Sequence, residues 1–208
     1  MRTVNFTDLP PAALNSGVRM RCNPLVAGQP YFWMESDGSH WRPWCGAQVI
    51  YSLAAPVVFT DDYAYQLGIS VPIPPKLLPD GRARLRTVMG GSHEGGTSDS
   101  LNYYTKIGPL SSLADPTIYQ TGCALTNLSV GGTYQAYRVS DTQLRKQGAG
   151  GTALVAALSG TSIIARLAPI DVANLDLETN YYNVWQDLIT GGLGEYGVLH
   201  AFTLELIG

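Results

Sequence analysis

The stretch YAYQLGISVPIPPKLLPDGRARLRTVM, residues 63–89, decides the fold. In its first part every second residue is large and apolar, from Tyr63 to Ile73, and the residues between them are small or polar. In its second part Leu85 and Met89 share one parity, and the arginines occupy the other. A period of two is typical of β-strands that bury one face. We therefore predict two consecutive strands joined by a proline- and glycine-rich turn.

Similar short segments follow along the chain, and a helical period is almost absent. The segment SDTQLRKQG, residues 140–148, has the composition of a short helix or a polar connection. The last segment, GVLHAFTLELIG, predicts a strand that buries His200 beside Phe202 on its apolar face. With 23 glycines and 13 prolines to make turns, the chain is predicted to be all-β. We expect an antiparallel, jelly-roll-like β-sandwich over residues 46–208.

Residues 1–45 are predicted to form a small N-terminal module that contains a β-hairpin. The stretch SDGSHWRPWCG, residues 36–46, has Asp37-Gly38 as its turn signal. Three tryptophans, Trp33, Trp41 and Trp44, fall in this region, and large aromatic contacts can stabilise a unit of this size. From the residues alone, this stretch is either a reactive centre around Cys45 and His40 or the packing of two short strands.

Composition and charge exclude several classes of function. Hydrophobic residues make up 45% of the chain, which is enough for a core. The net charge is −3, so the protein lacks the positive potential that nucleic-acid binding needs. The N-terminus has no secretion signal, and no apolar stretch is long enough for membrane insertion. We expect synthesis in the cytoplasm. Cys22, Cys45 and Cys123 are expected to be free thiols packed as small apolar groups, with a Cys22–Cys45 bridge as the alternative.

Motifs for catalysis, cofactors and metals are missing from the sequence. GAGGTA, residues 148–153, has the spacing of a dinucleotide-binding turn, but no buried strand precedes it. The chain has no nucleophile elbow, and its histidines lack metal-ligand spacing. We expect no catalytic residue, no cofactor and no metal site.

Two surfaces are candidates for binding. Three alternating arginines, Arg82, Arg84 and Arg86, lie on one strand face and would serve as a solvent-facing stripe, an oligomer interface or a patch for acidic sugars. Residues 90–104 read as a long, projecting glycine- and serine-rich loop, the kind of segment that often carries recognition residues. The candidate receptor contacts in it are His93, Glu94, Ser98, Asp99, Asn102, Tyr103 and Tyr104.

The stretch VPIPPKLLPDGRARLRTV, residues 71–88, resembles a strand, turn and strand found in virion appendage proteins of tailed bacteriophages. SDGSHWRPWCG is similar to a hairpin that precedes such domains, and the C-terminal strand is similar to theirs. The resemblance covers about residues 30–110 and the last strand. It is carried by Ile73, Pro74, Leu77, Leu78, Gly81, Arg82, Leu85 and Arg86.

The resemblance implies a non-enzymatic virion protein made in the bacterial cytoplasm. Its expected place is a tail fibre or baseplate, where a homotrimer would attach to a glycan or protein on the host surface. The N-terminal module would bind other virion proteins. Its hairpin would be a connector packed by Trp33, Trp41 and Trp44, and not a reactive centre. A capsid decoration or head fibre is the alternative within this class. A carbohydrate-binding module and a small glycan-active enzyme are more distant alternatives.

Overall fold

The computed structural model describes residues 3–59, 66–78, 84–94, 100–108, 117–124, 133–144, 152–159, 169–171, 182–189 and 196–208. This part of the chain is mostly strand, and its only helices are two single 3₁₀ turns, Phe6–Asp8 and Ala12–Leu14. The prediction of an all-β protein is confirmed at this level. Neither turn, nor anything else in these ranges, is a helix long and apolar enough to cross a membrane.

The N-terminal region forms a four-stranded sheet, so it is larger than the predicted hairpin. Its strands, in spatial order, are β1 (Thr3–Val4), β2 (Arg19–Cys22), β3 (Phe32–Ser36) and β4 (Trp41–Pro43). β1 runs parallel to β2, and the other pairs are antiparallel. The β3–β4 hairpin turns one residue later than predicted, because the Asp37 amide donates to the His40 carbonyl at 3.0 Å.

The later strands form two antiparallel sheets. In chain order they are β5 (Ala47–Ser52), β6 (Val57–Phe59), β7 (Gln66–Ile73), β8 (Arg84–Glu94), β9 (Ser100–Gly108), β10 (Thr117–Ala124), β11 (Thr133–Leu144), β12 (Thr152–Ser159), β13 (Pro169–Asp171), β14 (Tyr182–Ile189) and β15 (Tyr196–Ile207). One sheet has the order β13-β12-β11-β8-β15-β5, with β6 also paired to β15, and the other has the order β10-β9-β14-β7. Residues 140–144 belong to β11, so the short helix or polar connection predicted there is wrong.

The alternation that decided the fold is confirmed in β7 and β8. Ile69, Val71 and Ile73 are buried, as are Leu85 and Met89 on the next strand. These side chains belong to one hydrophobic cluster that also contains Phe32 and Met34 of the N-terminal sheet. The N-terminal module therefore shares its core with the strands that follow. The domain boundary after residue 45 stays a prediction.

His200 is not on the apolar face of the last strand, contrary to the prediction. The register between β15 and β8 shifts between Leu199 and Ala201, which is a β-bulge. The extra residue reverses the alternation, so Leu199 and Phe202 are both buried and His200 is exposed.

Candidate docking face of the N-terminal sheet

The N-terminal sheet has one buried face and one partly exposed face. Alternate residues of β3 and β4 enter the core, including Phe32, Met34 and Trp41. The residues between them point the other way, because successive side chains of a strand leave on opposite sides. We call this second surface the outer face. It consists of Arg19, Arg21, Tyr31, Trp33, Glu35, Arg42 and Trp44.

Aromatic rings hold the arginines of the outer face in place. The Arg21 guanidinium carbon lies 3.8 Å from the centroid of the Tyr31 ring. The Arg19 guanidinium lies 4.6 Å from the Trp44 ring, and its Nε is 3.2 Å from a Glu35 oxygen. Both ring distances are well within the range of cation–π attraction. The arginines are thus ordered before any partner binds, which lowers the entropy lost on binding.

The three tryptophans divide between the core and the outer face. Trp41 is buried, and its indole Nε1 donates to the Pro10 carbonyl at 2.7 Å. Trp33 and Trp44 are partly exposed and meet edge to face, with ring centroids 6.0 Å apart. These two rings belong to the outer face as well as to its internal packing.

Gln48 of β5 fastens the outer face to the rest of the protein. Its Oε1 accepts from the Trp33 amide at 2.6 Å. Its Nε2 donates to the Trp33 carbonyl at 2.8 Å and to the Trp44 carbonyl at 3.0 Å. The side-chain amide thereby bonds the β3 backbone just beyond Met34 and Pro43, the last residue pair between β3 and β4. Sequence reasoning missed Gln48, since a single glutamine in a strand carries no signal for this role.

Asp37 fixes the hairpin turn at the edge of the outer face. Its Oδ1 accepts from the backbone amides of His40 and Ser39, both at 2.7 Å, and its Oδ2 accepts from the Arg42 Nε. The His40 amide, then Arg42, then the Ser39 amide hold the pKa of this carboxyl well below its usual range. Asp37 is therefore ionised at all ordinary pH values.

The outer face can bind an acidic or planar polar group on a partner. Arg19 pairs with Glu35, and Arg42 pairs with Asp37. Among the residues that the structure describes, Arg21 has no carboxylate partner, so its N–H donors are available to an external acceptor. Arginine, tryptophan and tyrosine are also the residues most often found at the energetic centre of protein interfaces.

The predicted receptor loop is wrong as a single loop. His93 and Glu94 lie at the end of β8, whereas Asn102, Tyr103 and Tyr104 lie in β9, a strand of the other sheet. The sequence suggested a loop because glycine is depleted in strands in general. The glycine-rich end of β8 is nevertheless a strand, since β11 and β15 pair with it on both sides. β9 is paired as well, with β14 as one neighbour. The remaining two candidates, Ser98 and Asp99, lie outside the described residues.

The arginine stripe is partly engaged within the chain. Arg84 and Arg86 are partly exposed and alternate with buried Leu85, as predicted, while Arg82 lies outside the described residues. An Arg86 guanidinium nitrogen lies 3.8 Å from a carboxylate oxygen of Glu205 on β15. The exposed part of Arg84 is the better candidate for contact with another molecule.

The opening hairpin holds no nucleophile and base. His40 and Cys45 stand at opposite ends of β4, so at about 3.3 Å per residue they are separated by more than about 10 Å. Cys22 and Cys45 are both free, so the alternative of a bridge between them is wrong. Cys22 is fully buried, and burial raises the pKa of its thiol to about 12. Cys45 is exposed, so its predicted burial is wrong.

The structure also joins two residues that the sequence could not connect. Ser92 Oγ and His200 Nε2 lie 2.6 Å apart, although 108 residues separate them. A serine hydroxyl beside an imidazole is the pairing of a nucleophile and a base. Ser92 is only 1% exposed, however, so a substrate has no path to its hydroxyl. The pair satisfies the His200 ring and gives no support to hydrolysis.

In the described ranges, no three His, Cys, Asp or Glu side chains form a group that could hold a metal ion. Comparisons with protein-family models, with curated proteins and with solved structures found no match to this chain. Functional inference therefore rests on the residues and their geometry.

Proposed function

We propose that this chain is a non-enzymatic structural protein of a tailed-bacteriophage virion. It would be a tail-fibre or baseplate-attached homotrimer that contacts the host surface. Its N-terminal module would attach to another virion protein, and the later strands would form a jelly-roll β-sandwich. The observation that carries this proposal is the order in which the strands pair.

The strand pairs are nested. β5 pairs with β15, β7 with β14, β8 with β11, and β9 with β10. This is the pairing of one long antiparallel hairpin, rolled so that its strands fall into two sheets. The resulting orders are β5-β15-β8-β11 and β7-β14-β9-β10, with β12 and β13 extending the first sheet. This order supports a jelly roll, an architecture common in viral capsid and lectin domains.

The shared core supports packing of the two sheets face to face. Ile69 and Val71 come from β7, while Leu85, Met89 and Phe202 come from strands of the other sheet, and all five lie in one buried cluster. Side chains that interdigitate from two inner faces are what a sandwich requires. The outer face would then be an ordered surface for attachment to another virion protein. Three copies in one assembly would raise the avidity for a host ligand.

The trimer is tested by measuring the solution mass of the full chain with light scattering at dilute concentration. We expect a mass near three times the chain mass of 22.3 kDa. If the arginine stripe forms the interface, Arg84→Glu dissociates the trimer, whereas the charge-matched Arg21→Glu on the outer face leaves it intact. A monomeric parent protein would contradict the trimer, and a trimeric Arg84→Glu variant would remove Arg84 from its interface.

The place on the particle is tested by immunogold electron microscopy of purified virions with antibodies against the chain. Labelling at the tail tip or baseplate is the expected result. Labelling over the head would favour a decoration or head fibre instead. Particles that lack the chain, in labelling and in mass spectrometry alike, would refute the proposal of a virion protein.

A further inference from the structure

A pocket of about 330 Å³ lies between the N-terminal turns, the β3–β4 turn and the connection that follows β7. Its volume is at the lower end of the range for small-molecule sites, which suits a ligand of about one sugar ring. Its lining combines seven apolar residues, three of them prolines, with four residues that have polar side chains, and its surface is more polar than apolar. The apolar residues are Phe6, Leu9, Pro10, Pro11, Ala12, Trp41 and Pro75, and the polar ones are Thr7, Ser39, His40 and Lys76.

The walls of the pocket are fixed by hydrogen bonds. The Trp41 indole donates to the Pro10 carbonyl at 2.7 Å, and the buried Ser36 hydroxyl donates to the Ala12 carbonyl at 2.8 Å. Asp37 holds the backbone of Ser39 and His40, as described above. The cavity is therefore formed before a ligand arrives, so little ordering free energy is lost on binding.

Lys76 occupies a backbone position that favours glycine. Its φ is +66°, and the turn closes where the Leu77 amide donates to the Pro74 carbonyl at 3.3 Å. Proline in the second place and a positive φ in the third are the marks of a type II turn, whose third residue is usually Gly or Asn. A lysine there is strained, and strained residues cluster at ligand sites. Lys76 is exposed and belongs to the lining of the pocket.

The charge around the pocket favours an anion. Among the described residues of the lining, Lys76 is the one with a full charge, and none has a carboxylate. The nearby Asp37 carboxylate is engaged by Arg42. A sugar ring has apolar faces that suit proline and tryptophan, and hydroxyl groups that suit Ser39 and Thr7. A carboxylate on such a ring would form a charge-assisted hydrogen bond with the ammonium group.

We propose that this pocket binds an acidic monosaccharide of the hexuronic acid type, with its carboxylate on Lys76. The inference stands on the pocket alone and holds whether or not the chain belongs to a virion. The probes are glucuronate, its methyl ester and acetate, titrated into the full chain and followed by two-dimensional NMR. The ester keeps the ring and removes the charge, and acetate keeps the charge and removes the ring.

The decisive variant is Lys76→Gly, because glycine accepts a φ of +66° without strain and the fold is kept. We expect glucuronate to bind the parent protein and to bind Lys76→Gly at least about tenfold more weakly, with no fall in Tm. Lys106→Gln, which removes one positive charge from β9, a strand with no described residue in the lining, should bind like the parent. Three results would each overturn the proposal. They are equal affinity for the ester or for acetate, unchanged binding of glucuronate by Lys76→Gly, and no binding of glucuronate to the parent protein.

Discussion

Replacing Gln48 by leucine should uncouple the outer face from β5. Leucine keeps an apolar stem of similar size but removes all three hydrogen bonds to the backbone of Trp33 and Trp44. A hydrogen bond of this kind contributes about 1 kcal/mol net, and a polar group left unpaired in the interior costs about as much or more. We therefore expect Gln48→Leu to lower the free energy of unfolding by about 3 kcal/mol.

The assay is equilibrium unfolding in urea, followed by tryptophan fluorescence and by circular dichroism. With an m-value of about 3 kcal/mol/M, the midpoint should fall by about 1 M. Gln29→Leu is the matched control, because the Gln29 side chain makes one described hydrogen bond, in which its Oε1 accepts from the Ser52 amide at 2.7 Å at an exposed site. Its loss should be less than about 1 kcal/mol.

Equal midpoints for Gln48→Leu and Gln29→Leu would refute this reasoning, because the three bonds would then contribute no more than one exposed bond. The shape of the curve is a second test. Since one buried cluster includes both the N-terminal sheet and the later strands, the two probes should report a single transition.

Three further predictions concern single side chains. In a Cys123→Ser background, iodoacetamide should label Cys45 rapidly in the native protein and leave Cys22 unmodified until the protein unfolds. Mass spectrometry counts the labels. Double labelling of the native protein would contradict the burial of Cys22. Because the pKa of Asp37 is lowered by folding, its carboxylate stabilises the protein above the unfolded pKa of about 3.9 and loses this effect as pH falls below it. The Tm difference between the parent and Asp37→Asn should therefore be constant near neutral pH and shrink below about pH 4. A Tm difference that does not change with pH would exclude the carboxylate as its cause. Phe32→Ala should destabilise the whole protein by about 3–5 kcal/mol in urea unfolding, and a normal midpoint would show that Phe32 is not part of the shared core.

The sequence predicted the fold best where strands are regular. In β7 and β8 the period of two assigns Ile69, Val71, Leu85 and Met89 to the core, and all four are buried. Local alternation is sufficient there, because each strand buries one face and the register has no shift between Ile69 and Ile73 or between Leu85 and Met89. The three arginines beside them were placed on the opposite face by the same argument.

The failures fall where a bulge or a glycine-rich strand breaks the alternation. The shift near His200 reverses the parity of β15. The register of β7 against β14 also shifts, because Gly68 of β7 has no partner between Leu67 and Ile69. The glycines and serines at the end of β8 resemble a loop in composition. They form a strand because β11 and β15 offer backbone partners on both sides.

The candidate surfaces were harder to predict than the fold, because they depend on contacts between distant parts of the chain. The tryptophans near the hairpin were noticed, but the ring contacts of Arg19 and Arg21 and the role of Gln48 follow from the register of β2, β3 and β5. The pocket needs Lys76 brought against the β3–β4 turn. No spacing within the sequence encodes such a meeting.

The shared core has a consequence for attachment. A module joined to its body by a flexible linker can bind a partner without setting the direction of the body. Here Phe32 and Met34 of the N-terminal sheet lie in the same cluster as Phe202 of β15, and Gln48 ties the outer face to β5. The last residue is close as well, since a Cβ at Gly208 would lie 2.6 Å from the Pro43 carbonyl oxygen. In the proposed virion protein, a partner that binds the outer face would therefore fix the direction of the later strands. A fibre or baseplate protein needs this to present its far end to a host surface.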